Sequence, residues 1–114
     1  MSERNARLLL DDILTAIEKI QIYTAGYTFE EYIADDKTRD AVERNFEIIG
    51  ETAARVPEAY KQLHPRIEWR LIKDFKNYLI HEYFGINARI VWDTIRFRIN
   101  DLKIAIAALL KEEG

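Results

Sequence analysis

The sequence contains no cysteine, and it has only four glycines and two prolines among 114 residues. Without cysteine there can be no disulfide, no thiolate catalysis and no Cys-based zinc site. Glycine and proline interrupt regular structure, so their scarcity predicts long, unbroken elements. The lack of cysteine also fits a reducing compartment, and we expect a cytoplasmic protein.

Long apolar runs are missing as well. No run approaches the roughly 18 residues that a membrane span requires, and the polar start, Met1 to Asn5, does not resemble a signal peptide. We therefore expect no membrane association. The formal net charge is −3, so any binding of RNA must depend on a local cationic patch rather than on the overall charge.

Apolar residues recur at spacings of three and four, as on one face of an α-helix. They predict long helices over residues 4–24, 37–55, 66–84 and 88–110, with short helical segments after Thr28 and over 58–63. The apolar stripe of the third long helix consists of Ile72, Phe75 and Leu79. We expect an all-α fold: an antiparallel bundle of four to five helices that forms one domain over residues 1–114.

Capping residues mark the ends of these helices. Thr28 and Glu31 have the spacing of a capping box. Asp35 and Asp36 are both candidate N-caps of the second long helix, and Asn87 is the candidate N-cap of the fourth. Gly26 and Gly85 are the residue type that commonly follows a helix C-terminus.

Several kinds of active site are excluded by what the sequence lacks. It has no Gly-rich phosphate loop, no GxSxG and no His-Glu-x-x-His. Two histidines, His64 and His81, are too few for most histidine-led metal sites. We expect neither a metal nor a cofactor.

His81 is the residue most suited to chemistry. Asn77 lies one helical turn before it on the same face, and Lys73 lies two turns before it. Lys76 is five positions away, about 140° around an ideal helix, so the two side chains should not meet within one chain. On spacing alone, a histidine near a helix C-terminus is more often a partner of the helix dipole than a catalyst.

The segment Lys76-Asn77-Tyr78-Leu79-Ile80-His81-Glu82-Tyr83 resembles the signature of HEPN-domain proteins. It is most similar to the HepT branch, also called DUF86, whose pattern is Arg, a small polar residue, three variable residues, His, any residue and Tyr. The segment from Arg44 to Ala53 is similar to the family's second-helix signature, which usually ends Ile-Gly-Glu-Ala. Trp69-Arg70 and Val91-Trp92 also lie where the family places such residues.

This resemblance implies an all-helical, dimeric, metal-independent ribonuclease. It would be the toxin of a type VII-like toxin–antitoxin pair, and the antitoxin would be a minimal nucleotidyltransferase. By matching position, His81 would be the catalytic residue and Asn77 a supporting one. AMPylation of Tyr83 would silence the toxin. Lys76 stands where the family has arginine.

Two interpretations remain open at this stage. In the first, His81 moves protons and Lys76 stabilises phosphate charge while RNA is cut; in the second, the chain is a weak or inactive helical module that binds a nucleotidyltransferase. Lysine cannot grip phosphate in two-pronged fashion as arginine does, although it can act as a point charge. Arg44, Glu51 and Lys73 are candidate cleft-lining residues, but Arg44 and Glu51 could equally be solvated surface residues.

Overall fold

The computed structural model describes residues 3–82 and 85–113, with side chains over 5–82 and 85–112. Within these ranges the chain forms seven helices and no strand, which confirms the predicted all-α fold. The helices are α1 (Glu3–Thr24), α2 (Phe29–Ala34), α3 (Asp36–Ala54), α4 (Glu58–Leu63), α5 (Trp69–His81), α6 (Ala88–Phe97) and α7 (Ile99–Glu113).

The helix ends in the first half of the chain follow the predicted capping chemistry. Gly26 adopts a φ of +77°, which favours glycine, directly after α1. The Thr28 side chain accepts a hydrogen bond from the Glu31 backbone, and the Glu31 carboxylate accepts one from the Thr28 backbone. Asp35 caps α3 by accepting from the Thr38 N–H at 3.0 Å. These local bonds satisfy backbone donors that a helix start leaves without partners.

The third long helix is shorter than predicted. It was expected over 66–84, but α5 begins at Trp69 because the preceding turn buries Ile67 in the core and Glu68 leaves the helical region with a ψ of 70°. At the other end, Glu82 is extended. Gly85, with a φ of +109°, is therefore not an immediate C-cap of α5, and the last two predicted helical positions, 83 and 84, lie outside the described residues.

The predicted fourth helix, over 88–110, is interrupted at Arg98 and forms α6 and α7. The Thr94 hydroxyl donates to the Ile90 carbonyl at 2.9 Å, a contact that bends helices. Ile99 is buried immediately after the break, whereas Phe97 just before it is 72% exposed. The bend thus turns the apolar face of α7 back toward the core.

The core is centred on α1, which packs between α3 and α7. Arg7 near the start of α1 donates to the Leu110 carbonyl at 2.8 Å, and Lys103 donates to Gln21 at 3.2 Å. These two contacts show that α1 and α7 run antiparallel. The apolar stripe of α1 is almost wholly buried and includes Leu10, Ile13, Ile17 and Ile20.

Helix α5 lies at the edge of the bundle, where it packs mainly on α3. Of its predicted stripe, Leu79 is buried but Ile72 and Phe75 are only half-buried. An open, mostly apolar groove of about 520 Å³ separates α5 from α6 and α7, and Phe46 of α3 contributes to its lining. None of the described helices is both apolar and long enough to cross a bilayer.

Candidate functional site

Helix α5 carries the three predicted catalytic residues, Lys76, Asn77 and His81, as well as the candidate cleft-lining Lys73. Lys76 and Asn77 are half-buried and His81 is exposed. Lys76 and His81 are five positions apart, which corresponds to a rise of about 7.5 Å and a rotation of about 140°. Asn77 and His81 therefore share a face, while Lys76 lies at the edge of α5 that approaches α3.

His81 is the last residue of α5. Its side chain forms no hydrogen bond or ion pair with any other described residue. The imidazole is therefore open to a substrate. Histidine is the side chain that most often serves as a general acid or base in catalysis.

Lys76 is held against the backbone of α3. A Cβ atom placed on Gly50 would lie 2.4 Å from Lys76 Cβ, 2.6 Å from its Cγ and 2.8 Å from its Cδ. The lysine stem therefore lies directly over Gly50, where no larger residue would fit. Lys76 forms no ion pair with a described residue, so its ammonium is available to an anion.

Gly50 and Lys76 also line a cleft of about 870 Å³ between α3, α4 and α5. Four cationic side chains contribute to its walls, namely Lys61, Arg70, Lys73 and Lys76. Three carboxylates, Glu58, Glu68 and Asp74, are also present, and Glu68 lies 3.8 Å from Arg98. Lys73 and Lys76 are thus brought together in a cleft that has a small excess of positive charge.

Arg44 and Glu51 are exposed on α3. Neither belongs to the described residues that line this cleft. The structure therefore unites Lys73 with Lys76, and Asn77 with His81, but leaves Arg44 and Glu51 on open surface.

Tyr83 lies outside the described residues. Where the described chain resumes, the Asn87 N–H just before α6 donates to the Tyr78 hydroxyl at 2.8 Å. The Asn87 side chain also caps α6 by accepting from the Arg89 N–H at 2.9 Å.

No group of three or more His, Cys, Asp or Glu side chains in the described part of the chain is arranged to hold a metal ion. The acidic side chains of the cleft are interspersed with cations instead. The chemistry that these residues offer directly is proton transfer by His81 and charge stabilisation by Lys76.

Comparison with known proteins agrees with the resemblance seen in the motif. The family described as ribonuclease HepT-like matches residues 13–109. The chain belongs to this family. The match covers α3 and α5, which carry Gly50, Lys76, Asn77 and His81.

Similar proteins align with nearly the whole chain. A probable ribonuclease HepT of Thermococcus cleftensis is 42% identical over 101 residues, which cover 89% of this chain and 92% of that protein. A putative RNase of Methanocaldococcus jannaschii is 38% identical and covers 90% of this chain and 86% of its own. A putative RNase of Caldanaerobacter subterraneus is 34% identical over 96% and 98% of the two chains. No solved structure matches.

Two residues acquire a role that the sequence did not reveal. Gly50 was visible only as part of a signature, because a glycine inside a helical pattern gives no sign of what packs on it. The Tyr78 ring is half-buried and lies 6.2 Å from that of Phe75, but its hydroxyl also accepts a hydrogen bond from the Asn87 N–H just before α6. Neither contact has a local sequence signal, because both join residues on different elements.

Proposed function

We propose that this HepT-like protein is a metal-independent endoribonuclease. The observation that carries the proposal is the state of His81 and Lys76, which lie on one exposed helix without polar partners among the described residues. An acid–base group and a cation are the two groups needed to cut RNA by its own 2′-hydroxyl. The names of the relatives as ribonucleases support the same reaction class.

In the proposed reaction, the 2′-oxygen of one nucleotide forms a bond to the adjacent phosphorus while the bond to the 5′-oxygen breaks. A proton leaves the 2′-hydroxyl and another is added to the leaving 5′-oxygen; His81 carries out one of these transfers and water the other. The products are a 2′,3′-cyclic phosphate and a 5′-hydroxyl. Asn77, one turn before His81 on the same face, would hydrogen-bond the substrate.

Lys76 stabilises the negative charge that develops on the phosphate oxygens. Because its stem is held over Gly50, the ammonium is positioned before substrate binds. A preorganised cation is more effective than one that must be ordered during the reaction. Lys76 thereby substitutes for the arginine of the family pattern, with a single point of charge in place of a planar fork.

We further propose that the working unit is a homodimer. Lys76 and His81 project about 140° apart on one helix, so one copy of α5 does not direct both groups at a single phosphate. Ile80 lies between these two residues around the helix axis, and 44% of its area is exposed. A two-fold contact between two α5 helices would cover this apolar side chain and bring Lys76 of one copy toward His81 of the other.

The proposed regulator is a minimal nucleotidyltransferase that attaches AMP to the Tyr83 hydroxyl. The modification would add bulk and a negative phosphate at a residue only two positions after His81 in the sequence. That phosphate would pair with the site's cations and repel RNA. The protein would then be a toxin whose partner is its antitoxin.

The nuclease proposal is tested by incubating purified protein with RNA in EDTA and analysing the product ends. Products with 2′,3′-cyclic phosphate ends are expected, and a substrate with 2′-deoxyribose at the cleaved position should stay intact. If the deoxy substrate is cut at the same rate as the unmodified RNA, attack by the 2′-hydroxyl is excluded.

The regulatory proposal is tested by expressing the chain together with a minimal nucleotidyltransferase. Tyr83→Phe should keep most of the cleavage activity and escape silencing, because only the acceptor hydroxyl is lost. Tyr78→Phe is the matched control, and it should still be silenced. Silencing of Tyr83→Phe would show that the switch acts elsewhere.

A second function is favoured by one observation, the lysine at position 76. If lysine cannot replace arginine, the chain would be a non-catalytic helical module that binds a nucleotidyltransferase. Expression of this chain alone discriminates the two functions. Growth arrest that His81→Ala relieves supports the nuclease, whereas stable partner binding without growth arrest supports the module.

A further inference from the structure

The glycines of the described chain differ in what they are needed for. Gly26 and Gly85 have φ values of +77° and +109° and open space around them. Gly50 has neither property: it lies inside α3 with an ordinary helical backbone, and the space for its Cβ is already occupied. Glycine inside a helix is unfavourable relative to alanine. Its presence therefore calls for a reason in the packing.

The atoms that occupy this space belong to one residue, Lys76. Its Cβ, Cγ and Cδ lie 2.4, 2.6 and 2.8 Å from where an alanine Cβ would be. Contacts under 3 Å between carbon atoms are repulsive, so a methyl group at this position would force α5 or the lysine stem away from α3. A lysine stem with three consecutive carbons against a helix backbone has fewer rotamers open to it than one in solvent.

We infer that Gly50 is a positioning residue for Lys76. Its missing side chain forms a shallow trough that holds the lysine stem and delivers the ammonium to the cleft between α3, α4 and α5 at a fixed place. This inference rests on the proposed function for the part of it that concerns catalysis. The restraint on Lys76 stands independently of whether RNA is cut.

The first test is kinetic. Gly50→Ala should fold and lower kcat for RNA cleavage by about 10-fold to 100-fold, as expected for displacement of a positioned group by about 1 Å. Phe46→Leu is the matched control: it loosens the same pair of helices at the contact with Phe75, where the rings lie 4.9 Å apart, without touching Lys76. At equal loss of Tm, Phe46→Leu should retain far more activity.

A double-mutant cycle separates positioning from general damage. If Gly50 acts through Lys76, then Gly50→Ala should have little further effect on kcat in a Lys76→Ala background. It should still lower Tm there, because alanine at position 76 keeps the Cβ that clashes. An equal fold-loss of kcat in both backgrounds, or a Gly50→Ala variant with wild-type kcat, would overturn the inference.

The second test needs no nuclease activity. Side-chain ¹³C relaxation should show higher order for Lys76 than for Lys73, its exposed neighbour on α5. In Gly50→Ala the order or chemical shift of Lys76 should change, while Lys73 stays the same. If the wild-type protein cuts no RNA, or if Gly50→Ala does not fold, this comparison decides alone. Equal order at Lys76 and Lys73 in the wild type would refute the restraint.

Discussion

The ring of Tyr32 packs in the core, and its polar hydroxyl is buried along with it. Its side chain is fully buried, and its ring centroid lies 5.3 Å from that of Trp92. The hydroxyl has no hydrogen-bond partner among the described residues. Burial, assisted by the nearby Glu43 carboxylate, raises the pKa of Tyr32 well above its usual value. The ring is thus the favourable part of this residue and the hydroxyl the unfavourable part.

Tyr32→Phe should raise the free energy of unfolding by about 1 kcal/mol, because an unsatisfied buried hydroxyl is removed and the ring is kept. Urea denaturation of both proteins measures the change. Tyr23→Phe, at a surface site 39% exposed, is the control and should be neutral. Loss of stability in Tyr32→Phe would mean that the hydroxyl has a bonding partner after all.

Asp35 is a residue whose charge supports a helix start. It accepts hydrogen bonds from the Tyr27 hydroxyl at 2.6 Å and the Thr38 hydroxyl at 2.7 Å. These bonds, the Tyr27 contact foremost, lower the pKa of Asp35 to about 2. Since the folded pKa lies below the unfolded value of 3.8, its stabilising effect is complete above about pH 4 and is lost as the pH falls toward 2.

Asp35→Ala should therefore lower Tm by a few degrees at pH 7, and the difference from wild type should shrink between pH 4 and pH 2. Thermal melts at a series of pH values test this. Asp11→Ala, at an exposed site on α1, should show little difference at any pH. A gap in Tm for Asp35→Ala that grows on acidification would contradict the sign of the linkage.

At the scale of elements, capping chemistry was readable from sequence and helix interruption was not. Thr28, Asp35 and Asn87 cap as predicted because a cap is a bond within a few residues. The break at Arg98 and the late start of α5 depend on burying Ile99 and Ile67 against other elements.

The same distinction between local and long-range contacts applies to the site. The motif residues on α5 could be named from the sequence. The contact of Lys76 with Gly50 could not be predicted, because it joins two different helices.

Helix α5 is also an unusual helix in its charges. Arg70, Lys73, Asn77 and His81 follow one another at spacings that place them in a single stripe. The first turn of α5 contains no acidic residue, and Glu68 provides no side-chain cap, although acidic groups are the ones favoured there. The helix that carries the proposed site therefore lacks stabilising groups at its start. Departures of this kind from the rules of helix stability are expected at functional sites.

If this stripe contacts RNA phosphates, Arg70→Gln and Lys73→Gln should each weaken binding of a single-stranded, 2′-deoxy-substituted oligonucleotide. Each change should also reduce the slope of log K against log salt by about 0.7. Fluorescence anisotropy at several salt concentrations gives both quantities. Lys19→Gln, exposed on α1, is the control. Unchanged slopes in both α5 variants would place the RNA elsewhere.

At the scale of the whole molecule, the central question is whether one copy or two form a site. The chain buries its core around α1, but α5 is left at the edge with an apolar groove beside it and Leu71 half exposed. The predicted bundle was correct in class. The open edge of the bundle could not be predicted. The apolar stripe of α5 has the same sequence pattern whether the next helix that packs against it belongs to the same chain or to another copy.

Mixing two impaired variants distinguishes a shared site from a self-contained one. Lys76→Ala and His81→Ala should each lose most of the activity, but random exchange makes half of the dimers mixed, and each mixed dimer holds one complete site of two. Activity should thus recover to about a quarter of wild type if the site is formed across a two-fold axis. Mixing two His81→Ala preparations is the control. No recovery in verified mixed dimers would show that each copy acts alone.

The most direct measurement of the central claim is the rate of RNA cleavage in EDTA by three proteins: wild type, His81→Ala and Lys76→Arg. Intact mass must first show that Tyr83 is unmodified. We expect that wild type cuts, that His81→Ala loses at least about 100-fold in rate, and that Lys76→Arg cuts at least as fast as wild type. Full activity in His81→Ala, or no cleavage by wild type and Lys76→Arg alike, would contradict the proposed nuclease mechanism.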